Sequence, residues 1–211
     1  SSFGGILNGK GHTITYASKE AKENIAVFPF RINDNGIVEN INVQIDESYA
    51  YNSETDEFQT VFSRCDGIAK GITIKGNVTC IYDDEDDDIV DNDLSFEFCQ
   101  LGTINTGITY QNCIGYGQYS EAIKSLADEL EPKIKDNTWG YLCVSFTRKS
   151  FSSTSASATN CYYDKENMPD IKIMSEYITN RDNNKEFPNY ADFGKTTSEM
   201  KNQGTYEGFD F

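Results

Sequence analysis

The sequence predicts an all-β fold: a right-handed parallel β-helix (solenoid) with one short α-helix inserted between rungs and a segment that caps the C-terminal end. Three observations lead there. The 211 residues include 13 Tyr, 13 Phe and 16 Gly, a composition suited to pleated, half-buried strands and tight turns. Short β runs recur with a common shape, at a spacing inside the roughly 20–50-residue range of repeat architectures. Within each unit the runs are divided by turns and not by long helices. Units of this kind bury a face only against their neighbours. A chain that climbs by one strand spacing, roughly 4.8 Å, per turn pairs equivalent strands in parallel and stacks inward residues into ladders. A β-sandwich is the alternative. It requires turn signals every ~8–12 residues but no agreement in phase between repeats. Residues 1–211 read as a single domain, long enough for a substantial core.

The first element is the opening SSFGGILNGKGHTIT. From Gly4 to Lys10 it follows the phosphate-loop pattern G-x-x-x-x-G-K-[ST], but Gly11 stands where the magnesium-bound hydroxyl belongs. HTITY (12–16) alternates like a strand and does not open a helix. Asn8-Gly9 and Lys10-Gly11 therefore read as turn dipeptides at a sharp corner, with an anion nest as the minor reading. Ile6, His12, Ile14 and Tyr16 share one alternation, flanked by Leu7, Thr13 and Thr15.

The repeats follow. AVFPF (26–30), the turn NDNG (33–36) and VENINV (38–43) make one unit. TVFSRCDG (60–67) with GITIKG (71–76) makes a second, and FEFC (96–99) with GITYQN (107–112) a third. YLCV (141–144) and NCYY (160–163) read as a fourth copy stretched by an insertion. On this alignment Phe28, Phe62 and Phe98 are equivalent and should stack, and Ile41, Ile72 and Ile108 are equivalent too.

Two insertions and a tail interrupt the pattern. Residues 82–95 form an acidic loop, and IYDDEDDDIVDND (81–93) holds eight acidic residues. Asp84, Asp86 and Asp88 fall at positions 1, 3 and 5 of a calcium loop and are candidate metal ligands. Ile89 replaces the glycine of the sharp turn and Ser95 the bidentate Glu, so the loop is not an EF-hand. A solvated loop held open by its own charge is the favoured reading. Residues 119–136 read as a helix, capped by Ser120, with Glu121 complementing the dipole. Ile123, Leu126, Ala127 and Leu130 share one face, and Pro132 should end or kink the helix. Asn77-Val78-Thr79 fits a glycosylation acceptor but reads as an ordinary strand edge. In the tail, residues 164–211, NRDNN (180–184) reads as loop and TSEMK (197–201) as a short capped helical turn. Met200, Tyr206, Phe209 and Phe211 are expected to plug the end or flank of the coil, whose last strand would otherwise leave its backbone unpaired.

With 34 acidic against 18 basic residues the formal charge is −16, which argues against nucleic acid and anionic membrane surfaces. No apolar run approaches the roughly 20 residues of a membrane span. The chain starts at Ser1 without Met and reads as a mature or excised fragment, so a missing export signal carries no weight. None of the six cysteines forms a C-x-x-C pair and His12 is the sole histidine, which argues against a structural zinc site. The cysteines read as small apolar residues facing a core, with disulfides as the alternative in a secreted chain.

FGGILNGKGHTIT (3–15) resembles the strands of bacterial surface β-helix proteins that carry the GLUG motif, F-x-G-x-(L/F)-(D/N)-G-x-G-H-x-I. NCYYDKE (160–166) is similar to that family's N-x-Y-(Y/W)-D-x-(E/D). TTSEMK (196–201) with GTYEGFDF (204–211) is similar to its closing T-T-x-E-M-(K)…(T/F)-(Y/F)-x-G-(W/F)-D-F. The chain departs from the family in its irregular repeat length, its acidic loop and its inserted helix. The resemblance implies an adhesin-like, secreted or cell-surface bacterial protein, with neighbouring domains in a longer chain.

The residues point away from catalysis. Arg31, Arg64, Arg148 and Arg181 sit in no motif, a catalytic triad would have to use His12, and G-x-S-x-G is absent. The expectation is a non-catalytic module, with no cofactor beyond the calcium candidate, that binds a glycan or a host or cell-surface protein through aromatic and polar ladders. The alternative is a polysaccharide lyase or glycoside hydrolase on a β-helix with a calcium-binding acidic loop.

Overall fold

The computed structural model describes residues 2–17, 31–52, 57–59, 61, 66–82, 93–104, 109–119, 121–136, 139–149, 157–168, 171–176, 193–206 and 209. Among them the dominant structure is β-sheet, and the pairing is parallel almost throughout. The largest sheet has nine strands. They are β2 (Ile6–Asn8), β3 (Thr13–Ala17), β5 (Ile37–Asn52), β7 (Ile68–Tyr82), β9 (Thr109–Gln111), β10 (Ile114–Tyr119), β12 (Ser157–Thr159), β13 (Tyr162–Asp164) and β15 (Gly194–Lys195). A second sheet holds β6 (Glu57–Gln59), β8 (Asp93–Ile104), β11 (Trp139–Lys149) and β14 (Ile171–Met174), and β1 (Ser2–Phe3) pairs with β4 (Arg31–Ile32). Among the described residues only β11 and β14 pair antiparallel. Parallel pairing of this extent is the opposite of a sandwich built from hairpins.

The strands stack in chain order. Leu7, Val38, Ala69, Tyr110 and Ala158 are successive partners. Ile14, Val43, Ile74, Gly115, Tyr163 and Gly194 form a second line. Alternation along each strand sends one line to the core and the next to solvent, so Val38, Ala69 and Tyr110 are fully buried, as are Val43 and Ile74. β-branched residues hold these places because they fit a pleated surface covered on one side. Phe146 of β11 stacks on Tyr163 of β13, with centroids 5.6 Å apart, so the core is shared between the two larger sheets. The helix α1 (Glu121–Asp136) adds Leu126, Ala127, Leu130 and Ile134 to the same core.

Several expectations are corrected. Ile41 and Ile72 are partners as expected, but the register from β7 to β9 and β10 sets Cys113, not Ile108, opposite Ile72. The triplet Gly-Ile-Thr occurs at both 71–73 and 107–109, and that local likeness hides the true phase, which the corner before Cys113 sets. Phe98 is in register with Phe58 and Val144, so Phe58 and not Phe62 holds the equivalent position. Phe28, Phe62 and Ile108 lie outside the described residues. Ile6 and Ile14 are both exposed, but they do not share a face: Ile14 is in register with the buried Val43, whereas in β2 it is Leu7, not Ile6, that is in register with the buried Val38, because the turn between β2 and β3 resets the alternation. Tyr119 belongs to β10, paired with Val78, and α1 begins at Glu121. Pro132 does not end that helix, which runs to Asp136 with Ile134 buried in its last turn. Core burial there outweighs the one lost backbone bond. Asn77 and Val78 are not at an edge. They lie inside β7, with β10 on one side, and Val78 also pairs with Ser48 of β5. Among the described residues no helix is long and apolar enough to cross a membrane.

Candidate functional site

Two constructions follow from this register: a polar row on the outer face and a locked C-terminal segment. Both depend on a corner where the chain turns between short strands. Lys10, Asn40, Asn112 and Asn160 all have φ between 50° and 55°. Gly71 (φ 62°) takes the place between Asn40 and Asn112. Asparagine tolerates the left-handed region better than other side chains bearing a Cβ, which accounts for its recurrence. In the opening turn the Lys10 amide donates to Asn8 Oδ1 (2.8 Å) and the His12 amide to the Gly9 carbonyl (2.8 Å). The Gly11 amide donates to the Asn40 carbonyl (2.8 Å), and Asn42 Nδ2 returns a bond to the Gly11 carbonyl (2.8 Å). The amides of this loop are committed to its own turn and to the next strand, and β3 follows it. It is a corner, not a phosphate loop.

On the solvent side of the same strands, Asn8, Glu39, Lys70, Gln111 and Thr159 succeed one another in register. Asn8 Nδ2 donates to Glu39 Oε1 at 2.7 Å. Thr15, Gln44, Lys75 and Tyr116 form a second such row. All are exposed or half-buried, so donors and acceptors repeat outward at the strand spacing of roughly 4.8 Å. At one end an open polar cleft of about 310 Å³ is lined by Ser2, Arg31, Asn33, Asp34 and Asn35. Arg31 Nε donates to the buried Asp66 Oδ2 at 2.5 Å.

The second row ends at Tyr116, beneath the C-terminal segment. β15 continues the large sheet beyond β13. The helix α2 (Thr197–Met200) begins with a capping box: Thr196 Oγ1 accepts from the Glu199 amide, and Glu199 accepts from the Thr196 amide at 2.7 Å. That bond holds the exposed Glu199 carboxyl below its ordinary pKa. Met200 and Tyr206 pack with Phe209 against Ile114, Tyr116 and Tyr162, on the flank of the sheet. Lys195 Nζ sits 5.6 Å from the Tyr162 ring centre. Beneath them Asp164, 4 % exposed, accepts from Thr197 Oγ1 (3.0 and 2.8 Å), Asn167 Nδ2 (2.8 Å) and the Glu166 amide (3.1 Å). Glu166 Oε2 accepts from the Thr197 amide at 2.8 Å. Phe211 lies outside the described residues.

The Tyr206 hydroxyl donates to the Met200 carbonyl at 2.5 Å and lies 2.9 Å from the Tyr116 hydroxyl. Burial, and then the Tyr116 contact, push its pKa well above the ordinary tyrosine value. A folded-state pKa raised above the unfolded one gives stability that is complete below the ordinary value and is lost as pH rises past it. Unfolding midpoints in urea should therefore fall above about pH 10. Tyr206→Phe should be less stable at neutral pH, with a shallower alkaline decline than the parent protein. Equal alkaline slopes would refute this role for Tyr206.

Asp84, Asp86 and Asp88 lie outside the described residues. Among the described residues no group of three or more His, Cys, Asp or Glu side chains is arranged to hold a metal ion. His12 is exposed in its turn. Sequence reasoning missed Asp164 as a buried hub. No protein-family model, curated protein or solved structure matches this chain.

Proposed function

We propose that the chain is a non-catalytic binding module, built as a right-handed parallel β-helix, whose outer polar rows take hold of a glycan or a cell-surface protein. The observation that carries this reading is the in-register row of Asn8, Glu39, Lys70, Gln111 and Thr159. An extended polymer of hydroxyl-bearing units would meet a side-chain donor or acceptor at each step along it. The helical winding is supported by strands that stack in chain order and return to one left-handed corner. Its hand is that of nearly all parallel connections within one sheet. The likeness of the opening turn and the closing motifs to GLUG-type repeats supports assignment to a secreted or cell-surface bacterial protein with further domains. The C-terminal segment then serves as its cap.

The test is binding to a panel of polysaccharides, with reducing ends and unsaturated products assayed in parallel. Binding without product release is expected. Lys70→Glu should weaken it about tenfold or more, a loss of about 1.4 kcal/mol, with the melting temperature unchanged. Product release by the parent protein would replace this reading with a lyase or hydrolase, and full binding by Lys70→Glu would move the site off the row.

A further inference from the structure

We infer that Cys113 and Cys161 form a disulfide bond that staples two adjacent strand layers when the chain folds in contact with a disulfide oxidant. Gln111 pairs with Thr159 and Ile114 with Tyr162, so Cys113 and Cys161 face each other across neighbouring strands. Each follows an asparagine in the left-handed conformation, Asn112 at 52° and Asn160 at 50°. Each thiol points to the carbonyl two residues before it, Gln111 and Thr159, both at 3.4 Å. The two side chains therefore leave their strands in the same direction, and the Tyr162 amide ties the strands by donating to the Cys113 carbonyl at 2.9 Å. Both residues are 0 % exposed in the shared core, and both carry free thiols. Parallel neighbours stand roughly 4.8 Å apart, inside the ~4.4–6.8 Å Cα separation that a disulfide spans. Closing the bond requires no change of register.

The chemistry is thiol–disulfide exchange with a small-molecule or protein disulfide, R–S–S–R. One thiolate of the pair attacks one sulfur, forming the mixed disulfide and releasing RS⁻. The other cysteine, deprotonated by solvent base, attacks the sulfur of the first, forming the Cys113–Cys161 bond and releasing the second RS⁻. Two electrons pass from the pair to the oxidant, and the protons go to solvent and thiolate. With both sulfurs buried, exchange occurs on the open chain, and the closed core then shields the bond.

The experiment is refolding of the whole chain with oxidised glutathione, followed by alkylation in denaturant and peptide mapping. A peptide pair joined through Cys113 and Cys161, lighter by two hydrogens, is expected. So is a melting temperature about 5–10 °C above that of the reduced protein. In Cys161→Ala that difference should vanish. Recovery of both thiols alkylated, or their linkage to other cysteines, would overturn the inference. Because mapping uses the parent protein, the result stands even if the variant fails to fold.

Discussion

Gly76→Ala is expected to cost about 3–5 kcal/mol, through backbone strain and forced displacement together. Gly76 has φ 133°, a conformation that residues with a Cβ scarcely adopt. A Cβ there would lie 1.9 Å from the Ile45 carbonyl oxygen, a backbone atom that cannot rotate aside. The position matters because the register between β5 and β7 slips between Ile45 and Ser48. Two residues of β5, Asp46 and Glu47, there oppose Asn77 alone, a bulge that bends the strand and strengthens its twist. Displacing Ile45 would break pairing on both sides of that bend. Gly11→Ala is the control: φ is 77° but nothing lies within 4 Å of the added carbon, so only the left-handed strain of about 1–2 kcal/mol remains. Urea unfolding of both variants tests the difference. Equal losses would show that the contact at Ile45 relaxes freely.

Asp164→Ala should destabilise the protein by about 2–4 kcal/mol, because hydrogen bonds to a charged acceptor are lost and buried donors are left without it. Thr197 Oγ1, Asn167 Nδ2 and the Glu166 amide all converge on that carboxylate. The loss should be transmitted to the C-terminal segment, since Thr197 is the residue by which α2 is held to β13. A double-mutant cycle with Thr197→Val should return a coupling of about 1 kcal/mol. A loss below about 0.5 kcal/mol for Asp164→Ala would mean that the aromatic contacts of Tyr206 and Phe209 hold the segment unaided.

The parallel layering was legible because Ile41 and Ile72, with their neighbours, repeat β-branched residues at matching phase. The turn at Asn8 to Gly11 was legible because too few of its residues suited the competing phosphate loop. What misled was local similarity. Two Gly-Ile-Thr triplets and three prominent phenylalanines suggested partners that the register does not make, whereas the repeated Asn-Cys at 112–113 and 160–161 marked the true corner. Asp164 could not be singled out in a chain with 34 acidic residues. Burial distinguishes it from the others, and burial arises only when the tail folds over the sheet. Glu199 was different: Thr196 three residues earlier announces a capping box in the sequence itself.

The corner residues are fixed, and the length of chain between them is not. From Asn40 to Gly71, from Gly71 to Asn112 and from Asn112 to Asn160 the path grows longer at each return, and the last excursion carries α1. Pairing depends only on the corner and on the strands beside it. A connection can therefore be lengthened, exchanged or given a new surface without moving any residue of the ladder, and longer loops cost little extra closure entropy. The architecture separates what must be inherited from what is free to vary. Novelty in such a molecule accumulates in the excursions, while the frame that displays them stays the same.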